Sequence, residues 1–277
     1  SPSRPARRLA NSDRPHVFLP AGGLESSTMR LPVIRGLIDR RILVNYRVDP
    51  AVLAKVLPAP FRPSLVQGYG IAGICLIRLK HVRPRFIPRW MGLKSENAAH
   101  RIAVTWDEVG QTKHGVYIPR RDSNSRLNTL FGGRLFPGIQ HHARFDVRES
   151  ARDYRVAVRS DDRLVNVLVE GSATDHLPVG SVFQSVDEVS AFFEQGSLGY
   201  SATRREGRFD GMELRSFTWS VTPLDVRKVE SSYFADASLF PPGSATFDNA
   251  LLMRGIEHEW HSRAEPNCDC VAPVATG

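Results

Sequence analysis

The sequence predicts a mainly β, α+β fold in the form of a closed or folded β-barrel with a few short helices. Ten short stretches rich in β-branched and aromatic residues are bounded by Gly, Pro, Asp or Ser, while helical periodicity is confined to two stretches. The chain has 277 residues and is 42% hydrophobic, enough to bury one large core. Its longest apolar run, Tyr69 to Ile77, is strand-sized and falls short of the roughly 18 residues needed to span a bilayer.

Residues 1 to 28 are rich in Ser, Pro, Arg and Gly and hold no sustained apolar segment. This predicts a disordered extension without the apolar core of a secretory signal. Met29 directly precedes the first patterned segment and is read as the natural start, with one domain over 29–265 and a flexible tail over 266–277. Strands are predicted at 42–47, 69–79, 100–106, 115–121, 141–147, 154–159, 163–170, 213–221, 226–233 and 249–258. Asp49 is placed to cap a helix that carries Pro50 in its first turn and stops before Pro58. Ser185-Val186-Asp187-Glu188 is a capping box, followed by Val189, Phe192 and Phe193 on one face and Gly196 as a stop.

The formal charge is +8, and Arg78, Lys80, Arg83, Arg85, Arg89 and Lys94 follow one another before any acid appears. Such a cluster suits phosphates or an acidic partner. The other cations are dispersed and no nucleic-acid-binding motif accompanies it, so a solvated loop is the favoured reading and a nucleic-acid partner the disfavoured one. Three cysteines point to a reducing, cytoplasmic setting. Cys75 reads as a small core residue, and Cys268-Asp269-Cys270 lacks zinc-site spacing, so neither metal nor cofactor is expected. His258 and His261 have the wrong spacing for a helical metal motif and read as a terminal edge or interface patch.

Alternate residues of a strand share a face. His141 therefore joins Ala143, Phe145 and Val147 on the inward side, and His142 joins Arg144 and Asp146 on the other. From Trp106 the same count runs back through Val104 and Ile102 to His100, and beyond it to Glu96. A buried histidine bonded to backbone or water is the plain structural alternative for His100 and His141.

The segment Gly133-Arg134-Leu-Phe-Pro-Gly-Ile-Gln-His141-His142 resembles the active-site segment of acetoacetate decarboxylase. That family has a Lys-Lys pair seven residues after the Arg, and its first amine forms the Schiff base. Here His141 stands at that place. Residues 40 to 49, the helix-like 51 to 57 and Pro58-Ala59-Pro60 resemble the family's opening strand, helix and turn. Ser95-Glu96-Asn97 resembles the site of one active-site glutamate, and Tyr117 to Asp122 resembles a further strand, although the stretch from Asp122 to Arg134 is three residues longer. A second glutamate, expected between Gly73 and Leu79, is replaced by Cys75 or Leu76. Residues 29 to about 265, including Gly196 to Thr203 and Leu251 to Trp260, are identified with an uncharacterised bacterial family in this superfamily, domain of unknown function 2071.

The resemblance implies one internal cavity for a small carbonyl- or carboxylate-bearing molecule. It proposes Glu96 and His141 as an acid/base pair and Arg134 as a carboxylate or oxyanion contact. His100, Tyr117, Arg120, Arg121 and either Arg40 or Arg41 complete the expected ligand shell. Such a site suits a lyase, hydratase or isomerase step without a Schiff base. A non-catalytic small-molecule binder is the alternative, electrostatic binding of nucleic acid or an acidic partner a third, and homo-oligomerisation stays open. None of the five lysines matches the family's nucleophile, and Lys94, near Glu96, is the one substitute amine the sequence offers.

Overall fold

The computed structural model describes residues 32–126 and 138–266. Arg134, Cys268 and Cys270 lie outside the described residues. Thirteen strands form one sheet: β1 (Ile34–Val48), β2 (Arg62–Pro63), β3 (Leu65–Val66), β4 (Tyr69–Pro84), β5 (Leu93–Glu108), β6 (Gln111–Ser123), β7 (Gln140–Glu149), β8 (Asp153–Ser160), β9 (Asn166–Ala173), β10 (Leu198–Ala202), β11 (Phe209–Ser216), β12 (Thr222–Ser231) and β13 (Ala245–Arg263). The helices are α1 (Pro50–Val56) and α2 (Val186–Gln195).

The sheet closes on itself. The run β6-β7-β8-β9-β12-β13-β1-β4-β5 is joined by the β5–β6 pairing into a large ring. Strands β10 and β11 close a smaller ring, because β10 lies parallel to β6 and β11 lies antiparallel to the far end of β13. The long strands therefore fork. Residues Thr222–Leu224 of β12 pair with Ala250–Leu252 of β13, and Gly211–Ser216 of β11 pair with His258–Arg263 further along. Likewise β6 gives Val116–Ile118 to β10 and Arg121–Ser123 to β7.

Strands β1, β4 and β5 are apolar on both faces, as strands buried between two layers must be. Val44, Ile74, Leu76, Ile102, Val104 and Trp106 enter a first core with Val156, Val167 and Leu224. Leu43, Cys75, Ala103, Leu251 and Met253 enter a second core on the opposite face, beneath Val189 and Phe193 of α2. The helix caps follow the sequence. Asp49 Oδ1 accepts from Ala51 N at 2.8 Å, and Ser185 Oγ accepts from Glu188 N at 3.1 Å. The Glu188 carboxylate reaches back to Gln184 N, one residue before the cap.

Strand β10 is absent from the predicted set because Gly, Ser and Ala dilute its pattern. Those small residues are what its position requires. Where β10 approaches β6, a Cβ on Gly199 would sit 3.2 Å from Ile118 Cδ1 and 3.4 Å from Val116 Cγ2. The predicted strand 163–170 begins late, at Asn166, because Arg163 turns the chain at φ 63°. His258 also departs from expectation. Held between Gly36 of β1 and Ser216 of β11, it is fully buried rather than part of an edge patch.

A candidate anion-binding cavity

A cavity of about 140 Å³ lies against the second core and is lined from every strand of the smaller ring and from α2. Its walls are mostly apolar, with Ile118, Phe193, Leu214, Trp219 and Trp260 among them, but three guanidiniums also face it: Arg41, Arg101 and Arg121. Cys75 also lines it. Arg41 Nε donates to Cys75 Sγ at 3.3 Å, and the charges of Arg101 and Arg121 both interact with that sulfur. Arg101 is only 4% exposed, lies with its guanidinium carbon 4.5 Å over the Phe193 ring and donates to Asn45 Oδ1. Its buried Nε has no hydrogen-bond partner. Arg121 Nε donates to Ser201 Oγ of β10 at 2.9 Å.

The partners of these three side chains are a thiol, a thioether, an amide and a hydroxyl, and among the described residues no carboxylate forms an ion pair with any of them. Charge buried without a counter-ion is costly, and the cost appears in their acidity. Burial pushes Arg101 down to about 9, with Arg41 acting in the same direction and Cys75 opposing. Burial pushes Arg121 down to about 10, against the charges of Cys75 and Asp210. An anion entering the cavity would relieve both.

The other expected ligands lie apart from this cavity. A β-bulge in β6 sets Arg120 opposite His100 and Tyr117 opposite Ile102, so three β6 steps match two on β5. Tyr117 and Arg121, which a regular strand would place on one face, therefore point to opposite sides. Tyr117 packs with Phe61 and Phe209 in the first core, where burial raises its hydroxyl pKa. Arg120 binds Asp122 at 2.8 Å and Asp162 at 2.8 Å. His141 stands two residues before the buried Ala143 on β7, but its side chain is 36% exposed, with Nδ1 3.3 Å from Asp162. His100 is fully buried against Tyr233 and neither ring nitrogen has a partner. Burial, with Arg120 adding to it, depresses its pKa to about 3, so the ring is neutral.

Glu96 and its partners form a third group. Arg40, with a wholly buried side chain, donates to Glu96 at 2.6 Å and to Glu149 at 2.6 Å. Arg78 completes the square at 2.6 Å to Glu96 and 2.8 Å to Glu149. Burial would raise the Glu149 pKa, but the two guanidiniums hold it below its ordinary value. No hydrogen bond or ion pair joins Glu96 to His141 among the described residues, and neither lines the cavity.

The cavity instead takes Asn97, beside Glu96, and Gln140, beside His141. Asp122 also borders it; burial raises its carboxyl above the usual range, and Arg120 opposes the rise. Arg101 and Gln140 were absent from the residues picked out in the sequence, where Cys75 was read as a small core residue and as one of two that could replace a family glutamate. Arg101 did leave a trace, a lone cation within the otherwise apolar 98–106 stretch of β5. No described cluster of His, Cys, Asp or Glu could hold a metal ion, and no described helix is long and apolar enough to cross a membrane.

Solved structures share this architecture. An acetoacetate decarboxylase from Legionella pneumophila superposes with a TM-score of 0.55 at 9% identity, covering 85% of this chain and 88% of the decarboxylase. An acetoacetate decarboxylase-like enzyme from Sphingomonas wittichii RW1 gives 0.55 at 12% identity over 92% and 99% of the two chains. The enduracididine biosynthesis enzyme MppR, complexed with pyruvate, gives 0.55 at 12% over 86% and 92%. At these identities the likeness establishes the acetoacetate decarboxylase-like fold alone. No curated protein matches by sequence. Residues 38–255 match the model of DUF2071, described as an uncharacterized conserved protein, so the chain belongs to the DUF2071 family within an acetoacetate decarboxylase-like fold.

Proposed function

We propose that the chain binds a small carboxylate-bearing molecule in the cavity lined by Arg41, Arg101 and Arg121. The observation that carries this reading is the set of three inward guanidiniums without a carboxylate partner among the described residues. A guanidinium binds a carboxylate through two parallel hydrogen bonds, and in a low-dielectric site such contacts are strengthened. The complex of MppR with pyruvate, on the same fold, supports the ligand class.

Schiff-base chemistry is disfavoured by the lysines. None of Lys55, Lys80, Lys94, Lys113 and Lys228 lines the cavity. A second reading, a proton-transfer step on the bound molecule, is favoured by Asp122, a buried carboxyl of raised pKa at the cavity wall. In that reading Asp122 takes the acid/base role expected of Glu96 and His141 from the resemblance. The cation-rich stretch gives less support to nucleic-acid binding, because Arg78 and Lys80 are engaged with Glu96, Glu149 and Asp39, and Arg83 braces backbone carbonyls.

The test is thermal denaturation with pyruvate or acetoacetate against a neutral ketone at equal ionic strength. The carboxylates should raise the midpoint, the ketone should not, and Arg101→Met should remove the difference. Equal shifts from ketone and carboxylate would refute the reading.

A further inference from the structure

Resting on that reading, we infer that the preferred ligand is a dicarboxylate, carrying two negative charges rather than one. The cavity presents three guanidiniums, one on β1 and two on the paired strands β5 and β6, and among the described residues none of them forms an ion pair with a carboxylate. The carboxyls near them do not neutralise the group. Asp122 is engaged by Arg120, and Asp210 accepts from Gly138 N at 2.9 Å, reaching Arg121 only through space. Arg101 is nine-tenths buried and more, with Nε unpartnered. A single carboxylate brings one negative charge to three guanidiniums, so even when its oxygens are shared between them most of the buried positive charge stays uncompensated.

Geometry favours two anionic ends over one compact anion. Arg41 is anchored on the β1–β4 side through Cys75, whereas Arg121 is anchored across the ring on Ser201 of β10. Arg101 lies on β5 between β4 and β6, under Phe193. The lining also carries apolar side chains, Ile77, Val116 and Ile118 among them. A short methylene chain with a carboxylate at each end suits that combination of separately anchored cations and apolar wall. A phosphate would draw the three cations to one point and leave the apolar wall bare. The amide of Gln140 supplies a neutral donor for a carbonyl or hydroxyl on such a chain.

The experiment is calorimetric titration of the whole chain at pH 7.5 and fixed ionic strength with succinate and glutarate, their monoanionic counterparts butyrate and valerate, and inorganic phosphate. At least one dicarboxylate should bind tenfold or more tightly than its monocarboxylate counterpart and more tightly than phosphate. Arg121→Gln should weaken the dicarboxylate more than the monocarboxylate and bring the two to within threefold of each other. Equal binding of both classes would overturn this inference and leave the carboxylate site standing, as would phosphate binding tightest of all. Absence of binding by every carboxylate, including pyruvate, would remove the site itself. The comparison of ligands on the native protein decides the matter even if the variant fails to fold.

Discussion

Arg120 and Arg121 are adjacent on β6 yet serve different interiors: Arg120 grips Asp122 and Asp162, while Arg121 enters the cavity and touches Ser201. The first has its charge balanced by the fold. Among the described residues the second has no carboxylate partner, and the same contrast holds there between Arg40, paired with two glutamates, and Arg41, whose hydrogen bonds go to sulfur. Strand alternation thus sorts cations into those that hold the structure and those available to a ligand.

Arg101→Met should separate stability from binding. Replacing a buried charge by an apolar side chain of similar volume is often neutral or stabilising by about 1–4 kcal/mol. The loss of the contacts to Asn45 and Phe193 offsets part of that gain. The ligand-free variant should therefore be at least as stable as the native protein in urea, with a gain of about 1 kcal/mol, and should lose carboxylate-induced stabilisation. A drop of more than about 1 kcal/mol would show that the fold itself depends on this guanidinium.

Arg40→Met should behave in the opposite way. It leaves Glu96 and Glu149 short of a buried partner, and breaking such a pair costs about 3–5 kcal/mol. Pairing Arg40→Met with Glu96→Gln should give a loss well below the sum of the two single losses, as expected for contacting residues. Chemical denaturation of the four proteins measures the coupling, and additive losses would contradict the network.

Acid sensitivity should begin with histidines. Burial holds His100 at about 3 and His258 at about 4, both below the unfolded value near 6.5. Below pH 6.5 the unfolded chain binds protons that the folded chain refuses, so their stabilising contribution is complete above that pH and declines as pH falls toward 4. The slope approaches about 1.4 kcal/mol per pH unit for each group. Urea midpoints from pH 7 to 5 should fall, and His100→Leu should make the fall shallower. An unchanged slope in that variant would show that His100 is not the titrating group.

Imine trapping distinguishes the two neighbours on β7. Native protein incubated with acetoacetate and borohydride should keep its mass, since no lysine lines the cavity. Gln140→Lys places an amine beside Arg121 and the apolar wall, where desolvation and like charge favour its neutral, nucleophilic form. That variant should trap a ketone, whereas His141→Lys, partly exposed near Asp162, should not. Trapping by His141→Lys alone would restore the alignment drawn from the sequence.

Much of the fold was legible because strands write their faces in alternation and their ends in Gly, Pro and Asp. The long strands β4, β5 and β13, the cap at Asp49 and the capping box at Ser185 were all visible in that way. The site was less so. Strand β10 is written in small residues without alternation, yet it supplies the wall that closes the smaller ring. The bulge in β6 is an insertion relative to a partner strand, so no reading of β6 alone reveals that it reverses the face of Arg121 relative to Tyr117. Counting from Arg134 led to His141, one residue from the side chain that lines the cavity.

Strands β1, β5 and β6 are party walls between two rooms, and this restricts how such a chain can change. Removing one residue from any of them would exchange their furnishings: Arg41, Arg101 or Arg121 would turn into the hydrocarbon of the first core, and Val44, Ile102 or Tyr117 would turn into the cavity. A substitution alters one room at a time; a deletion damages both together. Changes of length are better borne by the β7–β8 and β8–β9 turns, which lie outside the cavity lining, and a designer wishing to reshape the cavity should change only side chains in the shared strands.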